Sequence, residues 1–163
     1  MSEEEEQRLL AEYLATCARL HRGFEETSGV IAPLMPMSPD RIDALPIDAE
    51  TSKLAYLKRF EQFEDILQRT LEAISRIMEH GKIERMTSVD VTRRAYALGI
   101  LDNEKIWANA VRVRNALAHE YPLNPEKRTS QVNQAWEGRE TLNTTWASIQ
   151  RFVQQEGLLH DAG

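Results

Sequence analysis

Arg114, Asn115, His119 and Tyr121 fall within one stretch, RNALAHEY, with Pro122 directly after it. Together these types can handle a phosphodiester. An arginine offers a planar, permanently charged fork that matches phosphate oxygens. An asparagine both donates and accepts hydrogen bonds. A histidine exchanges a proton near neutral pH, and a tyrosine adds a phenolic donor. Metal-free RNA cleavage needs such a set. A base removes the 2′-hydroxyl proton, an acid protonates the departing 5′-oxygen, and a cation stabilises the phosphorane between them.

The spacing qualifies that picture. Residues five apart on a helix lie about 140° apart around its axis, so Arg114 and His119 do not share one face. The length of the arginine, the ending of the helix or a second subunit would have to reconcile them. One histidine is poorly placed to act on both sides of a single phosphate. A two-fold dimer with this segment at its interface would supply two histidines and two arginines. A helix C-terminus also favours a cation there. Against this, a polar helix exit is the commoner origin of such a cluster taken alone.

The elements that must position these residues read as helices joined by loops. Leu9, Leu10, Tyr13, Leu14, Cys17 and Leu20 predict a first helix from Glu3 to about Glu26, capped by Ser2. The stretch SGVIAPLMPMSPDRIDALPID carries four prolines and predicts a loop over 28–50, either packed or used for binding. A long helix follows from about Ser52 to Glu79, with Leu54, Leu57, Phe60, Phe63 or Glu64, Leu67, Leu71 and Ile74 on its apolar stripe and His80-Gly81 as its stop. A shorter helix spans Val89–Leu98, and the motif helix runs from Asn103 to His119 or Glu120. Pro122 disfavours helical backbone at Tyr121. A last helix is expected from about Ser130 to Gln155, then a flexible tail over 157–163. No strand alternation appears. The fold class is therefore all-α, an antiparallel bundle of four to five main helices in one domain over residues 1–163.

Bulk properties exclude several classes. Hydrophobic residues at 42% and charged residues at 28% give a globular balance rather than a disordered one. No apolar run approaches a membrane span. An acidic start, MSEEEEQRLL, is not a signal or transit peptide, and one cysteine excludes an intrachain disulfide, so a cytoplasmic location is expected. The net charge of −6 argues against nonspecific nucleic-acid binding, yet Gly81–Arg128 holds nine Lys/Arg against six Asp/Glu. Arg93, Arg94, Arg112, Lys127 and Arg128 are therefore candidates for an RNA path, with solvated surface as the plain alternative. Nucleotide loops, HExxH, paired CxxC and GxSxG are all absent from the sequence, so neither a cofactor nor a metal is expected. His21, His80 and His160 have ordinary structural readings, and Trp107, Trp136 and Trp146 read as core or interface.

RNALAHEY fits R-x-x-x-x-H-x-Y with Asn after the Arg, which resembles the HEPN superfamily and, within it, the HepT-like toxins, also described as nucleotidyltransferase substrate-binding proteins. RFEQFED at Arg59–Asp65 resembles that family's aromatic-rich second helix, and RRAYALGILDNEKIW at Arg93–Trp107 its run into the motif helix. The likeness covers roughly Ala55 to Tyr121. It implies a helical bundle that dimerises with its motifs facing, and metal-independent RNA cleavage by Arg114 and His119 with support from Asn115. It also implies a partner, a minimal nucleotidyltransferase antitoxin that can transfer AMP to Tyr121 and so block the RNA site. The Pro-rich stretch and the overall acidity depart from the family pattern. Three functions thus compete: a toxin ribonuclease, a noncatalytic docking subunit of a nucleotidyltransferase, and a structural helical dimer.

Overall fold

The computed structural model describes residues 1–82 and 85–159 and is all-α, with no strand among them. Helix α1 spans Glu3–Ile31 and α3 spans Ile47–Met78. Between them lie a 3-10 turn at Ala32–Leu34 and the short helix α2, Pro39–Ile42. Then come α4 (Ser88–Ala97), α5 (Glu104–His119), α6 (Pro125–Glu137) and α7 (Arg139–Glu156).

Local chemistry accounts for most of the boundaries. The Ser2 hydroxyl accepts from the Glu5 N–H while the Glu5 carboxylate accepts from the Ser2 N–H, a reciprocal cap that starts α1. Thr87 and Asp90 do the same for α4. Asn103 and Asn124 cap α5 and α6 through their side-chain oxygens. After α3 the chain turns through His80 and Gly81, both with positive φ.

Leu10, Cys17, Phe24 and Ile31 recur every seventh residue on α1 and are fully buried, a seam of the coiled-coil kind. They face Tyr56, Phe60, Phe63, Leu67, Leu71 and Ile74 of α3, also fully buried. Cys17 meets Thr70, and Phe24 meets Tyr56 and Phe60, so the two helices run antiparallel. Helix α5 crosses α3 in the same antiparallel sense: Trp107 donates from its indole N–H to Gln68, and Arg114 reaches Glu64. Tyr56 donates its phenol to the Ala135 carbonyl and so ties α6 to α3.

Three expectations need correction. First, the Pro-rich stretch 28–50 is not a simple loop. Helix α1 continues to Ile31, α3 already begins at Ile47, and Met37 together with Ile42 of α2 packs on Val132 of α6. The Asn133 side chain clamps Met37 by accepting from its N–H and donating to its carbonyl. Second, the last helix is two. It starts at Pro125, where a missing N–H costs nothing in the first turn, and it breaks at Gly138. A Cβ at Gly138 would lie 3.2 Å from the Phe60 ring, so this close approach accepts only glycine without a shift. Third, the expected loose tail begins packed, since Leu158 is buried; residues 160–163, including His160, lie outside the described residues. No described helix is long and apolar enough to cross a membrane.

Candidate active site

Helix α5 ends at His119 because Glu120 turns to extended backbone, its N–H still bonded to the Ala116 carbonyl, ahead of Pro122. This exit distributes the four motif residues in three directions. Asn115 and His119, one turn apart, are exposed and line a groove of about 810 Å³ between α4 and α5. Arg114 is not among the groove's lining residues and reaches α3 instead. Tyr121, 82% exposed, lies beyond the helix and lines a different cleft with Pro122.

The partner of Arg114 is the unexpected residue. Its Nε donates to Glu64 Oε2 at 2.8 Å, and its Nη2 lies 3.7 Å from Asp65 Oδ1. Asp65 also pairs with Arg69, so two carboxylates and two guanidiniums alternate along the α3–α5 seam. Glu64 is fully buried, and its Oε1 has no hydrogen-bond partner among the described residues. Burial pushes its carboxyl up to about 7, and Arg114 opposes that rise without cancelling it. A buried carboxylate is expensive to keep charged, and removing its partner costs more than the pair itself contributes. Glu64 thus fixes the guanidinium, whose side chain stays 23% exposed, beside the end of α5.

Sequence reasoning left the α3 stripe open between Phe63 and Glu64; both are buried. The available signal was a carboxylate in step with Phe60, Leu67 and Leu71, where an apolar residue is the rule. Of the candidate RNA-path cations, Arg93 and Arg112 line the α4–α5 groove, joined by Lys105. Arg94 pairs with Glu79 and Arg128 with Asp43, so they serve contacts within the fold. Trp107 and Trp146 are buried, and Trp136 lies between Tyr56 and the Arg139 guanidinium. His21 packs against Phe63. No group of three or more His, Cys, Asp or Glu suited to a metal occurs among the described residues.

In comparisons with known proteins, no family model and no curated protein matches the chain.

Proposed function

We propose that the chain is a metal-independent endoribonuclease, the toxin member of a HEPN-type pair whose other member is a nucleotidyltransferase antitoxin. The observation that carries this reading is the burial of Glu64 against Arg114. An ordinary polar helix end has no need of an arginine held by a fully buried carboxylate, whereas a phosphate-binding guanidinium gains from being fixed. Support comes also from the exposed pair Asn115 and His119 in a groove that carries Arg93, Lys105 and Arg112.

In this reading a 2′-oxygen attacks the adjacent phosphorus, and the bond from phosphorus to the 5′-oxygen breaks. The products end in a 2′,3′-cyclic phosphate and a 5′-hydroxyl. His119 moves a proton at one of these oxygens, Asn115 orients the phosphate, and Arg114 stabilises the added negative charge. Within one chain Arg114 and His119 face apart, so a two-fold dimer of the motif segments completes the site. Control by the antitoxin acts at Tyr121. Its phenolic oxygen bonds to the α-phosphorus of ATP as pyrophosphate leaves, and the phenolic proton passes to a base of the transferring enzyme.

A second reading, a noncatalytic docking subunit, draws on one observation. Tyr121 and Leu123 are 82% and 83% exposed and lie outside the groove, as a surface offered to another protein would. The deciding experiment is RNA cleavage by purified protein in EDTA, with the product ends mapped. Cyclic-phosphate and 5′-hydroxyl ends, lost in His119→Ala, are expected. A folded, unmodified wild-type protein that leaves RNA intact sinks the ribonuclease and leaves the docking subunit.

A further inference from the structure

Among the described residues Glu64 is the one buried carboxylate, with no surface in water. Its Oε2 accepts from Arg114 Nε, and its Oε1 has no hydrogen-bond partner. The guanidinium it holds is bonded at that one nitrogen. Nη2 only approaches Asp65, at 3.7 Å, and the Arg114 side chain stays 23% exposed. Arg114 is therefore anchored through Nε and keeps an open edge that a second anion can take.

The charges around this pair balance. Arg114 of α5 and Arg69 of α3 stand against Glu64 and Asp65 of α3. On the α1 side His21 packs against the ring of Phe63, next in the chain to Glu64, and lies 4.0 Å from Glu25. The links from α4 and α6 are neutral: Ser88 meets Gln68, and Gln131 donates to the Ala116 carbonyl. On α7, Arg139 is taken up by the Trp136 ring and carbonyl.

A phosphate on Arg114 sets three anions against two cations. Asp65 is 38% exposed and bonded to Arg69, so it keeps its charge. Glu64 has no water and now shares its guanidinium with a competitor, so its charge becomes the hardest to keep. A proton on Oε1 breaks no hydrogen bond, and Oε2, then a carbonyl oxygen, still accepts from Nε. Burial has already brought this carboxyl up to about 7 against the pull of Arg114, so a further rise falls in the neutral range.

We propose that Glu64 is a proton-coupled positioning residue: as an RNA phosphate takes the open edge of Arg114, Glu64 draws one proton from solvent onto Oε1 while keeping its hold on Nε. The proton returns to solvent when the phosphate leaves. This rests on Arg114 being the phosphate contact of the function proposed above, and not on cleavage. Below about 7 the free chain already holds the proton, so binding takes up little. Above it binding must recover the proton, so affinity falls as pH rises.

The test is calorimetric titration of the full chain with a short single-stranded RNA, in EDTA and in two buffers of different ionisation enthalpy. The RNA carries 2′-O-methyl groups, which prevent cleavage, and hydroxyl ends, which leave no phosphate monoester to titrate. At about pH 8 wild type should take up about one proton more than Glu64→Gln, and its affinity should fall up to about tenfold per pH unit above 7. Glu64→Gln keeps an oxygen for Nε and should bind with a flatter pH dependence. A merely structural Glu64 moves the affinity and not the proton count. Equal uptake in both proteins assigns the proton to another group, such as the His119 imidazole, and overturns the proposal. So does the absence of uptake or of saturable binding in wild type. Infrared difference spectra of wild type labelled with carbon-13 glutamate decide the matter even where Glu64→Gln fails to fold. RNA binding should raise an isotope-shifted band of protonated carboxyl, and no such band overturns the proposal. Cleavage by a chain that takes up no proton keeps the ribonuclease and removes this coupling. Uptake by a chain that leaves cleavable RNA intact does the reverse.

Discussion

Two arginine–carboxylate pairs in this molecule have nearly the same length and opposite characters. Arg114 meets Glu64 at 2.8 Å, and Arg128 meets Asp43 at 2.7 Å. Glu64 is completely buried, whereas Asp43 is 56% exposed. The two guanidiniums are similarly exposed, 23% and 28%, so the difference lies in the carboxylates: water reaches Asp43 and does not reach Glu64. Contact distance alone therefore says little about what a pair does. The Glu64 pair is a fixed mount for a guanidinium, and the Asp43 pair is a solvent-screened contact between α2 and α6.

The sharpest way to break this contrast is to remove Arg114. Arg114→Ala leaves Glu64 buried without its partner and should lower stability by about 3 kcal/mol, read from urea denaturation at neutral pH. Adding Glu64→Gln should restore much of that loss, because the side chain left behind is then uncharged. If Arg114→Ala alone is as stable as wild type, the pair is no mount. The double variant is also the proper control for catalysis, since it separates a lost phosphate contact from a damaged fold.

A smaller effect is expected from pH. The Glu64 carboxyl stands at about 7 in the folded chain against an ordinary 4.5. Between those values the folded state holds a proton that the unfolded state has released. Glu64's contribution to stability is therefore present below about 4.5 and lost as pH rises through 7. Denaturation midpoints across this window should fall less steeply with pH in Glu64→Gln than in wild type. Parallel curves would show that Glu64 does not carry the dependence.

The smallest effect belongs to the exposed pair. Asp43→Asn should change stability by less than about 1 kcal/mol, as solvent-screened pairs do. A loss comparable to that of Arg114→Ala would erase the difference between the buried pair and the exposed one.

How much of this was legible in the sequence varies with the reach of the signal. The Ser2 cap, the Thr87 start of α4, the His80-Gly81 stop and the end of α5 before Pro122 were all readable, because each depends on bonds within one or two turns. The start of α6 was readable too, from Asn124 followed by Pro125, but an apolar pattern beginning later drew the boundary to Ser130. The need for glycine at 138 was not, since it is set by the Phe60 ring of another helix.

The sequence by itself determined that the chain is helical, where α4 and α5 begin and end, and that Arg114, Asn115, His119 and Tyr121 cluster at one helix exit. Only the tertiary structure decided that Glu64 is the partner of Arg114, fifty positions away in the chain. It also decided that His119 and Tyr121, neighbours but for one residue, open onto different cavities. Capping and turn chemistry act between near neighbours. Burial, and with it the charge state of a carboxylate, is set by whichever distant helices close over it.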